Sequence, residues 1–297
     1  MKKIVRFLGL CALVALAFTA CKKNDTKKVT IKATICQPTS TDRTYITGLN
    51  EAGDKVLKWG GDEEITVFNR TLTGDNGCNI QVSSYNNKYA YFSTYDPYMD
   101  DISIPNRYIA FYPNAAVNPE NNKVELTIPN QQSYDWYRIA NNIFPMYGFN
   151  TENYNIFFHS HAGVLGLRFL LDPEIYGGTP IELPLQKIVL TGFNNADTGD
   201  ADVLAGTMAY DLDGNYTMTN TGNVVELTGG SLRNTNPTEF YFILPEGALA
   251  NGFTVQIIRD NGTSIIYEGK SVNNGGQAIE AEHVTYMPQI WIRKTFE

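Results

Sequence analysis

The stretch Val29–Ile35, VTIKATI, alternates apolar and polar side chains with a period of two. Because successive side chains of a β-strand point to opposite faces, this pattern is typical of a strand with one buried face. We expect Val29, Ile31, Ala33 and Ile35 to face a hydrophobic core. Similar short runs follow along the chain, at residues 64–68, 89–93, 107–112, 124–128, 164–171, 186–190, 224–227, 240–244, 253–259 and 264–268.

Turn-forming residues separate these runs, as at Asp75-Asn76-Gly77 and Asn261-Gly262. Eighteen tyrosines and fifteen phenylalanines also favour strands, because aromatic rings pack well on pleated surfaces. We therefore predict an all-β fold built from antiparallel β-sandwiches. A stretch rich in proline and glycine at 172–180 predicts a boundary between two β-sandwich domains, at 29–173 and 181–297.

The first residues have the layout of a bacterial lipoprotein signal. A basic start is followed by an apolar run at 7–17, and Thr19-Ala20 places two small residues before Cys21. The run is shorter than the roughly 20 apolar residues that span a bilayer. We predict a signal peptide at 1–20, acylation of Cys21 and a lipidated tether at 21–28. An ordinary signal peptide that happens to contain Cys21 is the alternative.

Charge and cysteine content limit the partners. The chain has a formal net charge of −8 and lacks a cluster of Lys and Arg, which argues against nucleic acid as a ligand. Besides Cys21, only Cys36 and Cys78 remain after removal of the signal, so one disulfide is conceivable. Alternation places Cys36 on the polar face of its strand, which favours free thiols.

Catalytic and metal motifs give no positive indication. His159-Ser160-His161 could supply two ligands on one face of a strand, but it lies in an apolar run, where structural histidines are expected. The acidic loop at 197–202 lacks the order of a calcium-binding EF-hand loop, so we expect a solvated loop. We predict no enzyme activity, no metal site and no cofactor.

Several short motifs occur in a fixed order along the chain. Each is weakly specific alone, and the ordered set covers nearly the whole chain after the signal. The motifs are TDRT at 41–44, KWGGDEEITVF at 58–68, YIAFYP at 108–113, LTIPNQQ at 126–132, FFHSHAGVL at 157–165, AG at 205–206 and YFILPEG at 241–247.

This ordered set resembles the fimbrillin family, the lipoproteins that form the subunits and anchors of type V pili in anaerobic Gram-negative bacteria. The resemblance implies two tandem transthyretin-like sandwiches, export to the outer membrane and adhesion at the cell surface. It also implies cleavage after an arginine, here Arg43, which removes the strand Val29–Ile35. The terminal strand of the next subunit, here Ile290, Trp291 and Ile292, would fill the groove.

The partners implied are other pilus subunits, the membrane through the lipid anchor, and a host protein or glycan. Whether the protein is a stalk, anchor or tip component stays open. Cleavage after Arg43 also stays open, because the alternative is that Arg43 is an ordinary loop arginine. A surface glycan-binding β-sandwich lipoprotein is the second functional hypothesis. For that role Trp136, in the polar stretch 131–138, is the tryptophan best placed to stack on sugars.

Overall fold

The computed structural model describes residues 28–35, 63–72, 74–86, 89–99, 101–118, 122–135, 143–270, 276 and 278–297. Within these ranges the chain forms twenty-one β-strands, the short helix α1 (Pro173–Tyr176) and one 3-10 turn (Pro97–Met99). The predicted all-β class is therefore confirmed. A strand lies at each of the eleven runs that the sequence pattern predicted, β1 (Val29–Ile35) among them.

Seven strands close into a barrel around one hydrophobic core. In the order of their pairing they are β1, β10 (Asn155–His159), β9 (Met146–Asn150), β5 (Tyr108–Tyr112), β2 (Glu64–Asn69), β3 (Cys78–Tyr85) and β4 (Tyr89–Thr94). Alternate residues of these strands point inwards and are withdrawn from water. Ile31, Ile65, Phe92 and Phe158 are fully buried there.

The remaining strands form three further sheets. One contains β6 (Val117–Asn118), β7 (Lys123–Ile128), β13 (Ala205–Tyr210) and β14 (Tyr216–Gly222). A second contains β8 (Gln131–Ser133), β12 (Glu182–Gly192), β15 (Val224–Thr228), β16 (Ser231–Arg233), β18 (Phe253–Arg259) and β19 (Ser264–Gly269). The third contains β11 (Ala162–Leu171), β17 (Thr238–Pro245), β20 (Val284–Tyr286) and β21 (Ile290–Ile292).

Strand β11 borders both hydrophobic cores of the described chain. Val164 belongs to the core that includes the barrel interior, whereas Leu165 and Phe169 belong to the second core. Alternation in the sequence predicts Trp59, Phe68, Phe111 and Phe169 in the core of the first domain and Phe242, Leu244 and Ile257 in the core of the second. For Phe169 that prediction is wrong. The reason is that β11 pairs with β17 over eight residues, which turns its odd-numbered side chains towards the second core. The other predicted core residues in the described ranges, Phe68, Phe111, Phe242, Leu244 and Ile257, are buried as expected.

Not every strand pair is antiparallel, as the sequence analysis had assumed. In the described chain β1 runs parallel to β10, β15 to β8, and β11 to both β20 and β21. Parallel neighbours need a crossover between them, so these pairs join segments that are distant in sequence. The boundary predicted between 173 and 181 stays a prediction. Helix α1 begins there at Pro173, and β7, β8 and β11 on its N-terminal side pair with strands on its C-terminal side.

Candidate functional site

Strand β1 lies between two partners and closes the barrel. Residues 29–34 pair antiparallel with β4, and residues 32–35 pair parallel with β10. The backbone amide of Lys32 also donates to the carbonyl oxygen of Tyr154 at 2.9 Å. Because both edges of β1 are used, its removal would leave two neighbouring strands with unpaired backbone groups.

The inner side chains of β1 fill the barrel. Ile31 and Ala33 are fully buried, Val29 is nearly so, and Ile35 packs partly buried against the same core. All four face inwards, as the alternation predicts. Loss of the strand would therefore expose an apolar channel as well as backbone, at a cost of about 25 cal/mol for each square ångström of apolar surface.

The predicted donor residues form β21, which is docked on its own chain. Ile290, Trp291 and Ile292 pair parallel with Phe169–Leu171 of β11. Ile292 is fully buried in the second core, Ile290 is half-buried and Trp291 is 42% exposed. The segment thus has the alternation of inner and outer side chains that a donor strand requires.

Hydrogen bonds from different parts of the fold hold the end of the chain in place. The Arg293 Nε atom donates to Asp172 Oδ2 at 3.0 Å, and the Asp172 amide donates to the Ile292 carbonyl at 3.1 Å. The amide of Ser264 donates to the carbonyl of Glu297 at 2.8 Å. A mainly apolar cavity of about 410 Å³ lies beside residues 287–290. The last ten residues are therefore attached by a three-residue strand pairing, by these hydrogen bonds and by the buried Ile292 side chain, beside a cavity.

The structure does not bring the predicted removable strand and the predicted donor together in one chain, since β1 belongs to the barrel and β21 to the β11 sheet. Cys21 and Arg43, the predicted lipidation and cleavage residues, lie outside the described residues, as do Cys36, Trp59 and Trp136. Their roles stay predictions.

Cys78 is a free thiol at the start of β3. Its Sγ atom lies 3.7 Å from Asp96 Oδ2. Burial, together with the negative charge of Asp96, raises the pKa of the Cys78 thiol to about 11. The thiol is therefore protonated at neutral pH, and a protonated thiol is a poor nucleophile for disulfide exchange.

The two neighbouring histidines make separate structural contacts. His159 Nδ1 lies 3.0 Å from Glu282 Oε1, and the same oxygen accepts a hydrogen bond from the Ser160 amide at 2.9 Å. His161 stacks between Tyr147 and Tyr216, with ring centroids 5.1 Å and 4.4 Å away. Burial lowers the pKa of His161 below its usual value. Within the described ranges no group of three or more metal-ligating side chains is assembled.

Glu282 is a contact residue that the sequence analysis missed. Its backbone has a φ of 62°, an uncommon conformation for a residue other than glycine. Its amide donates to the Ala162 carbonyl at 2.8 Å while its side chain binds the turn before β11. Glu282, which lies just before β20, thus links the chain there to the end of barrel strand β10. A solitary glutamate in a loop gives no sequence signal for such a role.

The acidic loop at 197–202 is only partly solvated. Asp197 and Asp200 are exposed as expected, but Asp202 is buried. Burial raises the pKa of the Asp202 carboxyl, and backbone hydrogen bonds from Val203, Leu249 and Asn251 oppose that rise. Asp202 therefore accepts backbone hydrogen bonds within the fold, while its Oδ2 atom is buried without a hydrogen-bond partner in the described part of the chain.

Comparison with solved structures shows which proteins share this fold. A proposed cell adhesion protein from Bacteroides uniformis aligns over 90% of this chain and 94% of its own, with 14% sequence identity and a TM-score of 0.51. A second proposed cell adhesion protein, from Bacteroides ovatus, aligns over 89% and 92%, with 15% identity and a TM-score of 0.50. The chain has the fold of these proteins.

A fimbrial protein from Bacteroides vulgatus is a more distant likeness, with 10% identity, a TM-score of 0.36 and coverage of 90% of this chain and 97% of its own. No protein-family model and no curated protein sequence matches the chain. The solved structures that the chain resembles thus include adhesion and fimbrial proteins of the Bacteroidales. No helix in the described ranges is long and apolar enough to cross a membrane.

Proposed function

We propose that this protein is a non-enzymatic fimbrial subunit that acts in adhesion at the cell surface. The fold shared with Bacteroides adhesion proteins supports this proposal, as does the ordered set of fimbrillin-like motifs. The division into two transthyretin-like sandwiches, at 29–173 and 181–297, belongs to the same proposal. The presence of two hydrophobic cores supports two units, while each core contains residues from both sides of the proposed boundary.

Subunits assemble by strand exchange in this proposal, and the position of β1 is the observation that carries it. β1 is a single strand near the start of the chain, and it is paired on both edges and buried on one face. Cleavage after Arg43 would release it and leave a groove between β4 and β10. An extended peptide with alternating apolar side chains would restore both the backbone hydrogen bonds and the core packing.

The C-terminal segment supplies that peptide. Ile290 and Ile292 have the apolar character and spacing of Ile31 and Ala33, so they can occupy the same two inner positions. Trp291 between them would then point outwards, in the place of Lys32. β21 pairs with its own chain over three residues, so its transfer to a neighbour would exchange few backbone hydrogen bonds, with the burial of Ile292 lost in the second core and regained in the groove.

The N-terminal lipid holds the precursor at the outer membrane in this proposal. Thioether-linked and amide-linked chains on one cysteine give stable anchoring, because each buried methylene contributes about 0.8 kcal/mol. We expect wild-type protein to partition with the membrane fraction and Cys21→Ser protein to lose that attachment. Membrane fractionation with detection of the protein, followed by mass spectrometry of its N-terminus, measures both features.

Mass spectrometry of the N-terminus also distinguishes an anchor from a polymerising subunit. An acylated Cys21 at the N-terminus identifies an anchor, whereas an N-terminus at Thr44 in assembled material identifies a polymerising subunit. Cys11→Ser, a change within the predicted signal, serves as the control and should leave membrane attachment intact. If Cys21→Ser protein still partitions with membranes and is processed normally, the lipoprotein part of the proposal is wrong.

A further inference from the structure

The outer surface of the barrel carries a patch formed by three adjacent strands, β4, β1 and β10. The inward residues of these strands, such as Phe92, Ile31 and Phe158, are fully buried. Their alternate neighbours point outwards, and we call this set the aromatic face. It consists of Tyr89, Tyr91 and Ser93 on β4, Thr30, Lys32 and Thr34 on β1, and Asn155, Phe157 and His159 on β10.

Strand register aligns the aromatic rings in rows. Thr34 pairs with Tyr89 on one side and with Phe157 on the other, so these three residues form one row across the sheet. Two strand spacings place the backbones of Tyr89 and Phe157 about 10 Å apart. Phe157 is 42% exposed, a high value for a phenylalanine on a sheet. The row thus presents two aromatic rings at its ends with a small hydroxyl residue between them.

The next row adds polar groups to the aromatic ones. Tyr91, Lys32 and Asn155 are aligned by the same register. The Lys32 Nζ atom lies 3.6 Å from the ring centroid of Tyr89, within the range of a cation–π contact. This contact fixes the Tyr89 ring over the strand and places a positive charge in the middle of the face.

A chain of hydroxyl groups borders these rows. Thr30 Oγ1 lies 3.0 Å from Ser93 Oγ, which in turn lies 3.1 Å from Ser83 Oγ. The Ser83 hydroxyl donates to the carbonyl oxygen of Tyr91 at 2.7 Å. Each hydroxyl has lone pairs beyond those used in these contacts, so the border offers acceptors to a polar ligand.

The nine positions of the face are less acidic than the protein as a whole, and the Glu282 carboxylate adjoins the face at His159, with Oε1 3.0 Å from His159 Nδ1. None of the nine outward positions carries Asp or Glu, although the chain has 31 acidic residues and a net charge of −8. Flat rings flanked by neutral hydroxyl and amide groups match a sugar ring, which has an apolar C–H face and a rim of hydroxyls.

We propose that the aromatic face binds an oligosaccharide, with Tyr91 and Phe157 stacking on sugar rings and the polar residues hydrogen-bonding to their hydroxyls. The single lysine among the nine positions is compatible with neutral sugars and with sugars that carry a carboxylate. The proposal concerns the uncleaved chain, because removal of β1 would take Thr30, Lys32 and Thr34 from the centre of the face.

Affinity electrophoresis of full-length, detergent-extracted protein tests this proposal. Gels contain either neutral mannan or acidic polygalacturonate, and mass spectrometry verifies that β1 is still present. Wild-type protein is expected to be retarded by at least one polymer. Phe157→Ser and Tyr91→Ser should each weaken the retardation about tenfold, the effect of losing one well-stacked ring. The matched control is Phe193→Ser, which removes a ring that is 37% exposed elsewhere on the protein.

A second type of variant tests the face without removing an aromatic ring, so that a loss of binding is not mistaken for a loss of folding. Thr34→Arg leaves Tyr91 and Phe157 in place but puts a long side chain directly beside Phe157, in the row that Phe157 shares with Tyr89, and it should weaken the retardation as well. Thermal unfolding identifies the variants that are folded. The proposal is overturned if folded Phe157→Ser or Thr34→Arg protein migrates like the wild type, or if neither polymer retards the folded wild type. Equal loss in the Phe193→Ser control would also contradict it.

Discussion

Replacing Ile31 with aspartate should unfold the barrel of the uncleaved chain. Ile31 is fully buried in the middle of β1, so a carboxylate there would have neither water nor a partner. We expect the free energy of unfolding to fall by about 4 kcal/mol or more, a loss that is exceptional for one substitution. Denaturant titration followed by tyrosine and tryptophan fluorescence measures the change.

Thr30→Asp is the matched control for this prediction. It introduces the same carboxylate on the same strand, one residue away, but on the exposed face. Its effect on the free energy of unfolding should stay within about 0.5 kcal/mol. Similar stability losses in the two variants would show that β1 does not alternate between core and solvent, and the groove geometry would then be wrong.

Replacing Ile290 with lysine should abolish assembly while the single chain stays folded. In β21 the Ile290 side chain is only half-buried, so a lysine can extend its ammonium group into water. In the groove left by β1, the same position would correspond to Ile31 or Ala33, both fully buried. A lysine there would bury an unpaired charge, so strand insertion should fail.

Size-exclusion chromatography and negative-stain microscopy of cell-surface material measure assembly, and thermal unfolding measures the stability of the purified chain. Gln289→Lys is the control, since Gln289 is half-buried like Ile290 but lies just before the strand. We expect wild-type assembly for Gln289→Lys and only unassembled protein for Ile290→Lys. Filaments formed by Ile290→Lys protein would exclude Ile290 from the donor strand.

Local sequence pattern predicted much of the strand content. The bounds of β1 and β18 coincide with the alternating runs at 29–35 and 253–259. Strand β14 was missed because YTMTNTG is exposed over most of its length and so lacks apolar alternation. Strand β3 was missed because polar residues dominate it and its register with β4 shifts between Val82 and Ser84.

The partners of the strands could not be predicted in the same way. Alternation shows that Phe169 faces a core, but not which core, because that depends on the pairing of β11 with β17 about 70 residues later in the chain. The parallel pairing of β1 with β10 is equally long-range. Such pairings are set by the whole fold, and a period of two contains no information about them.

For the candidate sites, too, the sequence predicted local features but not those that depend on strand pairing. The inner face of β1 and the alternation at Ile290, Trp291 and Ile292 were accessible from sequence, since both are local. The aromatic face was not, because its residues come from three separate segments that only strand register aligns. Asp202 illustrates a further case, since burial of a carboxylate in an acidic loop depends on the backbone amides that surround it.

Disulfide cross-linking between subunits tests strand exchange most directly. The variant carries Asn155→Cys on β10 and Trp291→Cys on β21, with Cys36 and Cys78 replaced by serine. Within one chain these positions lie in different sheets, where residue 155 pairs with Lys32 and residue 291 with Leu170. If β21 of a neighbour replaces β1 with Trp291 at the position of Lys32, the two cysteines become adjacent and can bond.

The account predicts a ladder of covalent multimers when assembled material is run on a non-reducing gel, and its collapse to monomer on reduction. The pair Leu170→Cys and Trp291→Cys, placed to bond within one chain, reports the docked state of β21. Assembled material that yields only monomer from the first pair, while the second pair bonds fully within each chain, would contradict assembly by strand exchange.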